Sequence, residues 1–213
     1  MGEVLNRLDK LFAQQILRPF DDLKKHLTHP YAYSAEYSGI SKKCGDIAGA
    51  IRHFPEQTQA QGDARETCDE LNKDEKFALI FDLADTAKHR SLRKKEREVY
   101  VVAKSIFEYD EVLGFRFMRT EPIAVRWTGV EFSYLECVEH SLVLLRSKLG
   151  ISAVSQRNTC ESSEPFRCYA QLSHDPACSG EVQVEATRMQ FVRRNTSGDF
   201  IPIDPPEVTF VVV

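Results

Sequence analysis

Apolar positions in the first part of the chain recur near helical spacing. Val4, Leu5, Leu8, Leu11, Phe12, Ile16 and Leu17 form one stripe, which predicts a helix over 4–27. Pro19 is expected to bend or interrupt it, with Leu23 and Leu27 carrying the stripe onto a second short helix that ends by Pro30. Ile47, Ile51 and Phe54 predict a short helix over 41–54, with Ser41 as N-cap and Pro55 as its stop. The polar stretch 56–66 shows no apolar period and reads as a connecting loop or a frayed helix start. The clearest helix covers 72–92. Phe77, Ile80, Phe81, Ala84 and Ala87 give its stripe, acids stand near its start, and Lys88, His89 and Arg90 stand near its end, an order that complements the helix dipole.

Beyond Arg97 the pattern changes. The segments 98–107 and 113–119 are rich in β-branched and aromatic residues and read as two strands joined through Tyr109, Asp110 and Glu111, and 123–127 adds a third strand. Helical spacing returns over 131–149 in Phe132, Leu135, Val138, Leu142, Leu145 and Leu149, and Gly150 suits the left-handed position that ends a helix. A polar, Ser- and Cys-rich loop follows over 152–180; loops of that length inside a domain usually carry function, metal or mobility. Further strands are expected over 182–186, 189–192 and 208–213, with a turn at Asn195–Asp199. The resulting expectation is an α+β fold: an N-terminal helical bundle packed with a small, mostly antiparallel sheet and one long helix. It is read as a single domain over 1–213 with sub-lobes 1–95 and 96–213.

Composition adds bounds. Apolar residues make up 42% of the chain, enough for a sizeable core, and charged residues of both signs make up 28%. The formal net charge of −4 gives no overall attraction to phosphate backbones, so any such binding has to come from a local patch. No apolar run approaches the roughly 20 residues that span a bilayer, and the start of the chain matches neither a signal peptide nor a myristoylation pattern. A cytoplasmic location without membrane insertion is therefore expected, with most of the six cysteines as free thiols.

Three constellations could carry chemistry. Asp82, Asp85 and His89 fall on one stripe of the 72–92 helix, and a carboxylate four residues before an imidazole can set its tautomer and basicity, as a general base or a metal ligand requires. The competing reading is the solvated face of an amphipathic helix. Cys160, Cys168, His174 and Cys178 could complete a tetrahedral zinc site in the long loop, although their spacing lacks the paired-cysteine knuckle; free surface thiols are the alternative. Lys88, Arg90, Arg93, Lys94, Lys95 and Arg97, joined by Arg116 and Arg119 from a strand, could bind nucleic acid or phosphate, or could simply be a solvated helix end. Trp127, the only tryptophan, is expected as a core or interface aromatic rather than a stacking platform. Phosphate-loop, zinc-protease and nucleophile-elbow motifs are absent.

The run Asp82-Leu-Ala-Asp-Thr-Ala-Lys-His89, with the tail segment 193–211, resembles uncharacterised bacterial proteins that carry an Asp-x-Ala-x-x-x-Lys-His helix ahead of a short β segment. That resemblance implies a bacterial or phage-related cytoplasmic protein and brings no activity with it. The helical half also resembles HEPN ribonucleases in general look, but their Arg-x(4–6)-His motif is not met. Arg18 and His26 are too far apart, Arg52 and His53 are adjacent, and no Arg precedes His89 at the required spacing. The leading expectation is a non-catalytic binding or assembly protein with a protein partner or self-association, nucleic acid being a further candidate partner. The alternatives are a nuclease-like or other hydrolytic enzyme using Asp82, Asp85 and His89, and a small zinc-stabilised regulator.

Overall fold

The computed structural model describes residues 2–28, 37–89, 92–110, 114–154, 171–172, 187–204 and 211–212. The N-terminal stripe forms one continuous helical rod: α1 (Gly2–Phe12), a π-helical turn (Ala13–Leu17) and α2 (Arg18–Leu27). Pro19 does not end this rod. It sits in the first turn of α2, and the wide turn before it lets the Arg18 N–H reach back to the Ala13 carbonyl. A proline deep in an unbroken α-helix would instead lose a hydrogen bond and crowd the carbonyl four residues back. Phe12, Ile16, Phe20, Leu23 and Leu27 are fully buried along the rod's inner face.

The next helix is longer than its apolar spacing suggested. α3 (Tyr37–Thr58) passes through Pro55, which lies in its last turn. The turn closes with Gln59 N–H on the Pro55 carbonyl (3.0 Å) and the Thr58 hydroxyl on that of Phe54 (3.0 Å). Ser41 lies inside the helix rather than capping it, and its hydroxyl donates to the Val101 carbonyl at 3.0 Å. The polar stretch 56–66, read as a connecting loop or a frayed helix start, supplies the end of α3 and the first half of α4 (Gln61–Leu71). Its buried side is Ala64, Thr67, Cys68 and Leu71, spaced as one helical face but built from small residues. α5 (Glu75–His89) begins where the Asp74 carboxylate accepts the Phe77 N–H at 3.0 Å. It packs closely against α3, where Gly45 faces Ala87 and a Cβ on Gly45 would lie 2.9 Å from the Ala87 Cβ.

The strand half centres on a long antiparallel hairpin, β1 (Val99–Asp110) and β2 (Gly114–Arg126). The two segments expected as separate strands, 113–119 and 123–127, largely merge into β2, and Trp127 falls just past its end. β3 (Glu131–Ser133) pairs with β2, β5 (Thr187–Arg194) runs parallel to β1, and β6 (Phe200–Pro202) completes the order β3-β2-β1-β5-β6. Among these pairings only β1 with β5 is parallel. A two-residue pairing of β4 (Gln171–Leu172) with β7 (Val211–Val212) stands apart. Asn195 folds the turn before β6 as expected, its side-chain oxygen accepting the N–H groups of Ser197 and Asp199 at 2.9 Å, with Gly198 at φ 88°.

α6 (Tyr134–Leu149) starts at Ser133, whose hydroxyl accepts the Glu136 N–H, three residues later than the apolar spacing suggested because 131–133 form β3; it stops, as the sequence predicts, at Gly150 with φ 65°. Beyond it, Asp9 of α1 receives the N–H groups of Ser152 (2.8 Å) and Ala153 (3.1 Å), tying that exit to the N-terminal rod. Alternation along the hairpin places Val99, Val101 and Ala103, with their partners Arg126, Ala124 and Pro122, on one face. Val99, Ala103 and Ala124 join residues of all helices except α4's small-residue stripe in one core cluster, to which α4 contributes Leu71. Ile106, Met118 and Val192 form a second cluster farther along the sheet. The fold is α+β, with helices against one face of the sheet.

Candidate functional site

Asp82 and Asp85 are not on a solvated face. α5 is buried around most of its circumference, and the two aspartates are only 7% and 9% exposed. Carboxylates so placed require partners. Three arginines from three other parts of the fold supply them. Arg97, in the 3₁₀ turn Lys95–Arg97, donates from Nε to Asp82 Oδ1 (2.8 Å) and from Nη2 to both Asp82 (2.7 Å) and Asp85 (3.0 Å). Arg126, at the end of β2 on the helix-facing side, donates to the other Asp82 oxygen at 3.1 Å. Arg52 of α3 pairs with Asp85 and lies over the Phe81 ring, 4.3 Å from its centroid.

All four carboxylate oxygens of the pair are therefore engaged by guanidinium groups. A general base or metal ligand needs a lone pair that is not already held this way. Asp85 pairs with arginines rather than with His89, which is exposed at the end of α5. The cluster is a tether: it clamps the 3₁₀ turn and the β2 terminus onto α5. Thr86 strengthens it, donating to the Asp82 carbonyl (2.9 Å) and accepting the Val99 N–H (3.2 Å).

The tether fixes an edge rich in positive charge. Residues 88–97 hold six Lys or Arg against the single acid Glu96. Lys88, Arg93, Lys94 and Lys95 are exposed, and the first three have no ion pair among the described residues; Arg90 lies outside them. α3 runs antiparallel to α5, since Gly45 meets Ala87 while Arg52 meets Phe81, so the exposed Lys42 and Lys43 come to the same end as Lys88. The backbone at Arg116 stands away from this edge, opposite Glu108 in the β1–β2 register near the far end of the hairpin, about ten residues and roughly 30 Å along the strand from Arg126. Arg119 is held by Glu121 at 2.9 Å.

Trp127 is 59% exposed, not a core residue. It follows Arg126 in a tight turn closed by Gly129 N–H on the Arg126 carbonyl (2.8 Å) and Arg126 N–H on the Val130 carbonyl (2.9 Å), with Gly129 at φ 84°. Its own N–H donates to the Glu98 carbonyl at 3.0 Å, which places it beside the 3₁₀ turn, and Lys95 Nζ stands 5.2 Å from the indole centroid. The fully buried Glu98 organises this corner. It accepts Leu92 N–H (2.8 Å) and the Tyr100 hydroxyl (2.5 Å) and pairs with Lys95 (3.1 Å). The hydrogen bond to Glu98, with some burial, raises the Tyr100 phenol above its ordinary range.

The basic run is visible in the sequence, but its setting is not. Nothing in the periodicity linked Arg52 or Arg126 to α5. Cys160, Cys168, His174 and Cys178 lie outside the described residues; among the described residues no group of three or more His, Cys, Asp or Glu is arranged to hold a metal ion. No helix among them is long and apolar enough to cross a membrane. No family model matches the chain, and neither a curated protein nor a solved structure does.

Proposed function

We propose that this chain is a non-catalytic binding protein whose ligand is a nucleic acid, held along the edge formed by Lys88, Arg93, Lys94, Lys95 and the neighbouring Trp127. The observation that carries this reading is the tether. Three arginines and two buried aspartates hold the segment leading into β1 rigidly, so its exposed cations are presented on a fixed shelf rather than on a floppy tail. A preorganised row of cations gains more from a phosphate backbone than a mobile one, because less side-chain and loop freedom is lost on binding. The whole chain's net charge of −4 gives no overall attraction to phosphate, so the attraction comes from that shelf. Hydrolysis has less support, since Asp82 and Asp85 spend their acceptor oxygens on guanidinium groups.

The test is binding of labelled oligonucleotides to the full chain across a salt series. Affinity is expected to fall steeply with salt, and Arg93→Glu with Lys94→Glu is expected to reduce it and to flatten the log–log salt slope by about 1.4 to 1.8, the value for two lost phosphate contacts. Absence of binding at low salt, or an unchanged slope in the variant, would overturn the reading.

A further inference from the structure

We infer that the ligand is single-stranded, with an unpaired base stacked on Trp127 and the adjoining phosphates lying along Lys95, Lys94 and Arg93; this rests on the nucleic-acid reading above. Trp127 leaves 59% of its surface to water, although its N–H donates to the Glu98 carbonyl and hydrogen bonds of Arg126 and Gly129 close the turn around it. A large apolar ring on a fixed turn is an open stacking surface. Lys95 Nζ lies over the ring, 5.2 Å from its centroid, so the stacking surface is the part of the indole it leaves exposed, and Tyr100, 41% exposed, is held nearby through Glu98. Aromatic rings interleaved with cations are the arrangement that engages a strand with splayed bases: the ring takes the flat π-face and the cations take the backbone. A duplex offers phosphates but keeps its bases stacked on one another, so it satisfies only half of this surface. A bare polyphosphate offers no ring at all.

Because the chain contains a single tryptophan, its fluorescence reports on this position alone. The probes are a short mixed-sequence single-stranded DNA, the corresponding duplex, and inorganic tripolyphosphate, each titrated into the full chain. Single strands are expected to quench the fluorescence strongly, the duplex less, and tripolyphosphate hardly at all. Affinities of labelled single strands, measured by anisotropy, are expected to fall about 10-fold or more in Trp127→Ala, with the salt slope kept, while Trp127→Phe retains most of the affinity. Thermal melting of both variants checks folding, and little change is expected for so exposed a side chain.

If Trp127→Ala binds single strands as the wild type does, or if duplex binds as tightly as single strand, the stacking inference is overturned. The nucleic-acid reading survives that result provided Arg93→Glu with Lys94→Glu still weakens binding. If no probe binds and the charge reversal changes nothing, the underlying reading falls as well.

Discussion

Replacing Asp82 by Asn keeps the shape of the side chain and removes one of two negative charges that hold three guanidinium groups. Asp82 accepts two hydrogen bonds from Arg97, at 2.7 and 2.8 Å, and one from Arg126 at 3.1 Å. In the variant the five-residue cluster moves from a formal +1 to +2, with only Asp85 left to neutralise it. Removing one partner of a buried ion pair costs about 3–5 kcal/mol, because the remaining charge stays in a poorly solvated place. Arg97 is 43% exposed and Arg126 20%, so water recovers part of that cost, and a loss of about 2–3 kcal/mol is expected. For a chain of this size that corresponds to a fall in melting temperature of roughly 4–12 °C. Thermal or urea unfolding of the full chain measures it. Part of the difference should persist at high salt, since the two carboxylates are buried and only weakly screened, while the exposed side of Arg97 is screened. Combining Asp82→Asn with Arg97→Gln should cost less than the sum of the two alone, because each removes the partner the other has lost. A stability change within about 0.5 kcal/mol, the range of ordinary surface substitutions, would refute the tether and return Asp82 to the role of a solvated residue.

Three further outcomes follow from the geometry. Gly45→Ala should destabilise despite its better helix propensity, since its Cβ would meet the Ala87 Cβ at 2.9 Å and both helices would have to shift; adding Ala87→Gly should restore much of the loss in a melting experiment. Gly129→Ala meets no atom within 4 Å, so its cost of about 1–2 kcal/mol in unfolding experiments comes from the φ of +84° alone, and a matching change in Trp127 fluorescence should show that the turn has moved. Acid should loosen two staples. The hydroxyl and N–H of Ser152 chiefly lower Asp9, while burial opposes the ionisation of Asp74 but bonds from Phe77 and His140 outweigh it, so both carboxyls sit below their ordinary value of 3.8. Groups lowered in this way stabilise the fold above that value and lose their contribution as pH falls through the folded one. Carboxyl titration by NMR should place both below 3.8, and Asp9→Asn or Asp74→Asn should flatten the acid limb of the stability profile.

Much of the fold could be read from the chain because its signals are local. The long apolar spacing of 4–27, the stripe and charge order of the 72–92 helix, the β-branched hairpin segments and the Gly150 end of α6 each depend on residues within a turn or two of one another. Local reading went astray where the deciding atoms lay elsewhere. In sequence α4 reads as a loop or a frayed helix start because its buried face is Ala64, Thr67 and Cys68, residues too small to register as an apolar stripe until α3 packs against them. Pro55 looked like a stop, yet the last turn of α3 accommodates it because the Thr58 hydroxyl and the Gln59 N–H close the turn beyond it. The candidate site shows the same division. The basic run from Lys88 to Arg97 is written in the chain itself, as is the solitary Trp127. The burial of Asp82 and Asp85, and the conversion of a charged linker into a fixed shelf, were decided only when Arg97 and Arg126, distant in sequence from Asp82 by 15 and 44 residues, arrived on its two oxygens with Arg52 beside them. Periodicity reports which face of an element is apolar. Whether a charge on that element meets water or a partner charge depends on which other elements pack against it, and that is a property of the folded arrangement.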